Sequence, residues 1–273
     1  MKNLKKIIVA GVCTAAVACG ALALAGCGGS DSLPCGTVET DEGYYLVEDG
    51  KLTIGSDLDF PPMEGLDDAG NPTGFGVDMI QEVCNRIGLE MNFLDPQNFD
   101  SLVTQVNAGT TMDVAVSSMT ITDERSELIT FSDPYFDSNL AIVIKTDSGI
   151  TDKASLNDAS VTVAAQSGSS GEDWIKENLP NATLVTYNGP TDAVTALVAD
   201  QCSAVVYDEP VAAEHVSNQF TECSILEVIP TGEQYGIAIN QGNTKLIEAI
   251  NNALADMESD GTMDALKAKY GMK

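Results

Sequence analysis

Arg125 is one of only two arginines in the chain, and it stands in Ser117–Tyr135, SSMTITDERSELITFSDPY, among hydroxyls and acids. A guanidinium can grip a carboxylate through two parallel charge-assisted hydrogen bonds. A second anion-binding feature lies in Gln166–Gly171, QSGSSG. Its glycines allow close backbone approach, and the helix it opens offers free N–H groups and a positive dipole end. Ser170 reads as the N-cap of that helix, with Asp173 three residues on as its box partner. Ser169 and Ser170 are therefore both ligand candidates. No GxxxxGK[ST] is present, so the loop is not a P-loop. Taken alone, it reads equally as an ordinary capped turn. Asp208 supplies a fixed negative charge suited to an ammonium, with Ser118 and Thr120 as supporting oxygens. A carboxylate clamp and an ammonium clamp together suit a free α-amino acid. Phe60 and Phe99 are candidates to sandwich its side chain, and Asp57 to receive a donor at its tip. Phe99 also fits a core helix stripe, and Arg125 could pair with Asp123 or Glu124 on the surface at little gain.

The elements that must bring these residues together alternate along the chain. KLTIGSD reads as a strand, and VDMIQEVCNRIG as a helix with an apolar stripe of Met79, Ile80, Val83, Cys84 and Ile87, stopped by Gly88. EMNFL is a strand, FDSLVTQVNAG a helix, and MDVAVSS a strand. The pattern recurs as SVTVAAQSG, GEDWIKENL, ATLVTY, TDAVTALVAD and SAVVYDE. SILEVIP and YGIAIN follow, then two helices over 243–259 and 261–270. The fold class is α/β, with two lobes, each a mainly parallel sheet flanked by helices. Asp57, Ser117, Ser118, Thr120, the QSGSSG loop and Asp208 all follow strand carboxyl ends, where open α/β sheets take ligands.

Residues 1–26 have a basic start, Lys2, Lys5 and Lys6, then an uncharged apolar run ending in small residues. That is an export signal. Leu24-Ala25-Gly26-Cys27 resembles a bacterial lipobox, which implies cleavage before Cys27 and lipidation of its thiol. An uncleaved anchor helix is the alternative; the small residues before Cys27 favour the peptidase. Residues 27–45 read as a flexible polar tether. No later segment has the length and apolarity to span a bilayer. The formal net charge is −28, and loss of the signal makes it three units more negative. Nucleic acid is excluded as a partner on that ground. Cys35, Cys84, Cys202 and Cys223 remain in an exported chain, and by position they pair as Cys202–Cys223 and Cys35–Cys84. Cysteine and histidine spacing gives no zinc site, and His215 is the sole histidine. No metal or cofactor is expected.

Four stretches carry a resemblance: IGSDLDFPPMEGLDDAGNPTGFGVDM, the segment FDSLVTQ through FSDPY, VAAQSGSSGEDW and DGTMDALKAKYG. Over 45–272 the chain resembles the polar amino-acid class (family 3) of extracytoplasmic solute-binding proteins of ABC importers. The resemblance implies the two-lobe hinged periplasmic-binding-protein fold (type II). It also implies lobe 1 over 46–139 plus 236–273 and lobe 2 over 140–235, with crossings near Asp137–Ala141 and Thr231–Tyr235. Arg125 would take the ligand carboxylate with the amides of Thr120 and Ser170. Asp208 would take the ammonium with Ser118 and Thr120, and Asp57, Phe60, Phe99 and Ser117 would face the side chain. Asp57 points to glutamine, arginine, lysine or histidine. The partners implied are the free amino acid, the membrane through a lipid anchor and an ABC permease, with the protein a monomer outside the cell membrane. Two departures stand out. Gly76 replaces the acid often found in G-F-D-V-D-L and puts the local turn in question. Met63 replaces a common Phe and would soften a pocket wall.

The rival readings are a dehydratase-type enzyme on the same fold and a sensory lipoprotein. The enzyme needs a general acid in the crevice, and His215, on a presumed helix, is a poor candidate.

Overall fold

A computed structural model describes residues 37–272. The lipobox with Cys27, the signal, Cys35 and most of the tether lie outside the described residues. β1 (Lys51–Gly55), α1 (Phe75–Ile87), β2 (Glu90–Phe93), α2 (Phe99–Ala108) and β3 (Val114–Ala115) follow the sequence reading. α1 buries Val77, Met79, Ile80, Val83 and Cys84 and ends at Gly88 in the left-handed conformation. A short α3 (Asp123–Ser126), β4 (Thr130–Phe131) and a long β5 (Phe136–Lys145) come next. β6 (Thr162–Gln166), α4 (Ser170–Asn178), β7 (Thr183–Tyr187), α5 (Pro190–Val198), β8 (Ala204–Asp208) and α6 (Glu209–Glu214) repeat the alternation. β9 (Cys223–Tyr235), β10 (Ala238–Ile239), α7 (Thr244–Ser259) and α8 (Thr262–Lys269) complete the chain.

Two five-stranded sheets result, ordered β2-β1-β3-β10-β4 and β7-β6-β8-β5-β9. β1 runs parallel to β2 and β3, and β6 parallel to β7 and β8, as helical crossovers require. Each sheet is mainly parallel: four of its five strands run one way and one runs against them. β10 pairs antiparallel with β3 and β4, and β5 lies antiparallel between β8 and β9. The chain thus returns through β10 to the first sheet.

β5 and β9 run on beyond the second sheet as a paired ribbon, Ser138 opposite Glu233 and Phe136 opposite Tyr235. The ribbon contains residues 137–141 and 231–235. An aromatic group locks it to the first sheet's helices: Phe136 stacks on Tyr235 at 5.8 Å, and Phe75 lies 5.7 Å from Phe136. A continuous apolar cluster runs from Ile54 and Val114 through these rings to Val143 and Val205.

The cysteine pairing is corrected. Cys84, Cys202 and Cys223 are buried free thiols. β5 explains the separation of the last two. Cys223 opposes Lys145 on one side of β5, while Cys202 precedes β8 on its other side. Cys84 faces the core from α1, fully buried.

Candidate functional site

The crevice is built from strand ends. Asp57 follows β1 and is buried. Its Oδ1 accepts from the Ser117 hydroxyl at 2.8 Å, and its Oδ2 from the Gln166 amide at 2.7 Å. Burial pushes its carboxyl upward, opposed by those two donors. Ser117 thus orients Asp57, and Gln166, at the end of β6, reaches it from the opposite sheet. Gln166 opens the QSGSSG loop but was not among the expected ligand residues; its amide also donates to the Asn188 carbonyl at 2.9 Å.

Ser118 holds φ 44°, a left-handed backbone for a non-glycine residue. Its hydroxyl donates to Glu64 Oε2 at 2.8 Å. Its oxygen keeps lone pairs with which to accept from an ammonium. Glu64 is fully buried, and burial pushes its carboxyl up to about 8.

The Gly76 departure has its explanation here. A Cβ at Gly76 would stand 2.0 Å from Glu64 Oε1, so the missing side chain makes room for Glu64 at the start of α1. Gly76→Ala is expected to lower stability by about 1–3 kcal/mol, the usual range for overpacking, measured by urea unfolding. A neutral result would mean that Glu64 moves freely. Met63 is fully buried.

Arg125 lies on α3, whose cap is the Thr122 hydroxyl accepting from the Arg125 backbone N–H at 3.2 Å. Its guanidinium donates to the Thr120 carbonyl at 2.6 Å and to the Gly168 carbonyl at 3.0 Å. It also lies 5.4 Å over the Phe99 ring. Burial lowers its proton affinity, while Asp208 and Glu233 raise it. Neither Asp123 nor Glu124 holds it in an ion pair; it faces the crevice. Phe99 serves the guanidinium and a local core, while Phe60 packs in the larger cluster.

The α4 cap is shifted by one residue from the sequence reading. Ser169, extended at φ −87°, is the N-cap and accepts from the Glu172 N–H at 3.2 Å. Glu172 reaches back to the Gly168 N–H at 2.7 Å. Ser169 spends its hydroxyl on this cap and on the Gln166 carbonyl, so it does not face the crevice. Ser170 is then the first helical residue. Gly168 has φ 73°, and a Cβ there would meet Asp100 of α2 at 2.9 Å.

Asp208, at the end of β8, is buried and accepts from the Tyr235 hydroxyl at 2.6 Å. Burial, then the charge of Glu233, pushes its carboxyl up to about 7. Tyr235 and Glu233, both on β9, were not among the expected site residues. Glu233 Oε2 accepts from Thr120 Oγ1 at 2.8 Å and from Ser170 Oγ at 2.9 Å.

Hydrogen bonds cross the crevice at several further points. Thr191 donates to Asp59 at 2.6 Å, and Ser167 to Asp100 at 3.1 Å. Beside the guanidinium, a cavity of about 510 Å³ is lined by Asp100, Arg125, Gly168, Ser170, Trp174 and Glu233 among others. His215 is buried between Tyr207 and Phe220, with both ring nitrogens lacking a partner, and burial pushes it down to about 4. It is a neutral packing residue, not a crevice acid. Among the described residues, no group of His, Cys, Asp or Glu could hold a metal, and no helix is long and apolar enough to cross a membrane.

Residues 52–273 match the family model described as bacterial extracellular solute-binding proteins, family 3. The L-cystine-binding protein TcyJ of Escherichia coli (strain K12) is 28% identical over 84% of this chain and 86% of its own. A variant of ArgBP from T. maritima is 35% identical at TM-score 0.76, over 81% of this chain and 95% of that one. The ancestral amino acid-binding protein AncCDT-1, a precursor of cyclohexadienyl dehydratase, is 33% identical at TM-score 0.75, over the same shares.

Proposed function

Because this chain belongs to the bacterial extracellular solute-binding proteins of family 3, we propose that it captures one free polar α-amino acid outside the membrane and delivers it to an ABC permease. The lobes are residues 46–139 plus 236–273 and residues 140–235, and the β5/β9 ribbon is the hinge on which they close. The observation that carries this reading is the convergence of opposite charges across one crevice. Arg125 faces Gly168 and the start of α4, and Asp208 stands buried beyond it with its carboxylate aimed at Tyr235. The carboxylate of the ligand seats on Arg125, the Thr120 amide and the α4 N-terminus. Its ammonium seats on Asp208 and Ser118. Asp57, held by Ser117 and Gln166, takes a side-chain N–H donor, so glutamine or a basic amino acid (arginine, lysine or histidine) is the ligand. Two buried carboxylates against one guanidinium favour the basic class. Lipidation at Cys27 tethers the protein to the cell membrane.

A thermal-shift screen of the twenty amino acids tests this. A ligand at a hundred times its Kd adds about 2.7 kcal/mol of stability, a rise of several degrees. No shift from any amino acid sinks the reading.

The kinship with a dehydratase precursor and the raised acids Glu64 and Asp208 favour one alternative, an enzyme with a general acid in the crevice. Glu64 is poorly placed for it: one oxygen holds Ser118 and the other abuts Gly76. Product formed from a cyclohexadienyl substrate in excess over protein would restore the enzyme.

A further inference from the structure

α5 opens without a cap of its own. Gly189 stands at its N-cap position with no side chain to serve there, and Pro190, the first helical residue, has no N–H. The first N–H that needs an acceptor is therefore that of Thr191, where a capping side chain normally bonds. It finds one across the crevice. Asp59, in the loop after β1, accepts from the Thr191 N–H through Oδ2 at 3.3 Å and from the Thr191 hydroxyl through Oδ1 at 2.6 Å. A carboxylate placed there also meets the positive end of the helix dipole. Burial pushes the Asp59 carboxyl upward, and the bond from Thr191 opposes that.

Gly189 is shaped to this contact. Its φ of −138° is extended backbone, so conformation does not demand a glycine. Space does: a Cβ at Gly189 would stand 2.0 Å from Asp59 Oδ2, and the atoms nearest to it all belong to Asp59. The same turn is held a second time, by the Gln166 amide that donates both to the Asn188 carbonyl and to Asp57. Two acids of one loop, Asp57 through Gln166 and Asp59 directly, thus hold one turn on the other side of the crevice.

We propose that Asp59 is a closure-positioning residue: it caps α5 from across the crevice as the lobes close over a ligand, and so slows the ligand's release without touching it. This rests on the hinge-closure reading above. Closure joins two groups that otherwise turn to water, the uncapped start of α5 and a carboxylate presented by the loop after β1. The gain is made only in the closed, liganded form, so it falls on the dissociation rate and not on the association rate. Both Asp59 oxygens are taken by Thr191, so the gain is the same for every amino acid that closes the lobes.

Stopped-flow binding and dilution kinetics test this on full-length protein. The signal is the fluorescence of Trp174, the chain's only tryptophan, which lines the cavity beside Arg125. Arginine, lysine, histidine and glutamine are the probes, and urea unfolding without ligand verifies that each variant folds. Asp59→Ala is expected to release every probe that binds roughly three- to thirtyfold faster, the usual range for a lost cap, with association unchanged. Thr191→Val keeps the N–H but not the hydroxyl and is expected to show part of that change. Gly189→Ala is expected to speed release on its own and to change nothing further alongside Asp59→Ala, because its Cβ then has no carboxylate to meet. Unchanged release in folded Asp59→Ala overturns the cap. Faster release confined to one probe, or a Gly189→Ala effect that adds in full to that of Asp59→Ala, also overturns it. If no probe binds the wild type, the amino-acid reading and the cap fall together; if probes bind but the variants match the wild type, the cap alone falls.

Discussion

Arg125→Ala is expected to weaken amino-acid binding by roughly ten- to a hundredfold, because a charge-assisted hydrogen bond contributes about 1.5–3 kcal/mol. The guanidinium has no substitute: Arg86, the other arginine, is engaged with Glu82 and Asp260. Its two donors go to the Thr120 and Gly168 carbonyls, one on each side of the crevice. The substitution therefore loosens lobe closure as well as the ligand grip. Arg125→Lys keeps the charge but not the planar fork, so it recovers only part of the affinity. Calorimetric titration measures both, and denaturant unfolding of the empty variants separates lost binding from lost folding. Unchanged affinity in a folded Arg125→Ala protein removes Arg125 from the clamp.

The second large effect belongs to Asp208. In the empty site burial holds its carboxyl up to about 7, against an ordinary value near 3.8. An ammonium beside it favours the charged form and pulls that value down. The liganded protein then binds fewer protons than the empty one wherever the empty carboxyl is still protonated. By linkage, affinity rises with pH up to about 7 and levels off above it. At pH 6, titrations in two buffers of different ionisation enthalpy should reveal proton release on binding. Asp208→Asn should bind roughly ten- to a hundredfold more weakly at pH 8, lose the proton release and flatten the profile. Glu64 serves as the control. It is pushed up to about 8 and turns its oxygens to Ser118 and Gly76, so Glu64→Gln should keep the rise below pH 7. A wild-type affinity independent of pH from 5 to 8 would show that Asp208 does not meet the ammonium.

The alternation of strands and helices was legible because each unit is local: an apolar run, a helical stripe, a glycine stop. The antiparallel placements of β5, β9 and β10 were not, since those partners are distant in sequence. The α4 cap slipped by one residue because Ser169 and Ser170 carry the same hydroxyl, and Glu172 and Asp173 are both acids. Only backbone dihedrals choose between them. Asp57, Arg125 and Asp208 were singled out by their positions after strand ends and their charge, and the structure sets them along one crevice. Gln166, Glu64 and Glu233 were given no role, because their partners are remote in sequence. Their partners Asp57, Ser118 and Thr120 lie 109, 54 and 113 residues away. At Ser118 the backbone holds φ 44° and the hydroxyl donates to Glu64, which no local pattern announces.

The claim at the centre is that one crevice grips both charged ends of a free α-amino acid. Calorimetric titration of ligand-free protein with the best-binding amino acid, its carboxamide and its deaminated analogue tests that directly. One molecule of the amino acid is expected to bind per chain, with both analogues weaker by at least tenfold. Equal affinity for the carboxamide would contradict the carboxylate clamp, and equal affinity for the deaminated analogue would contradict the ammonium clamp.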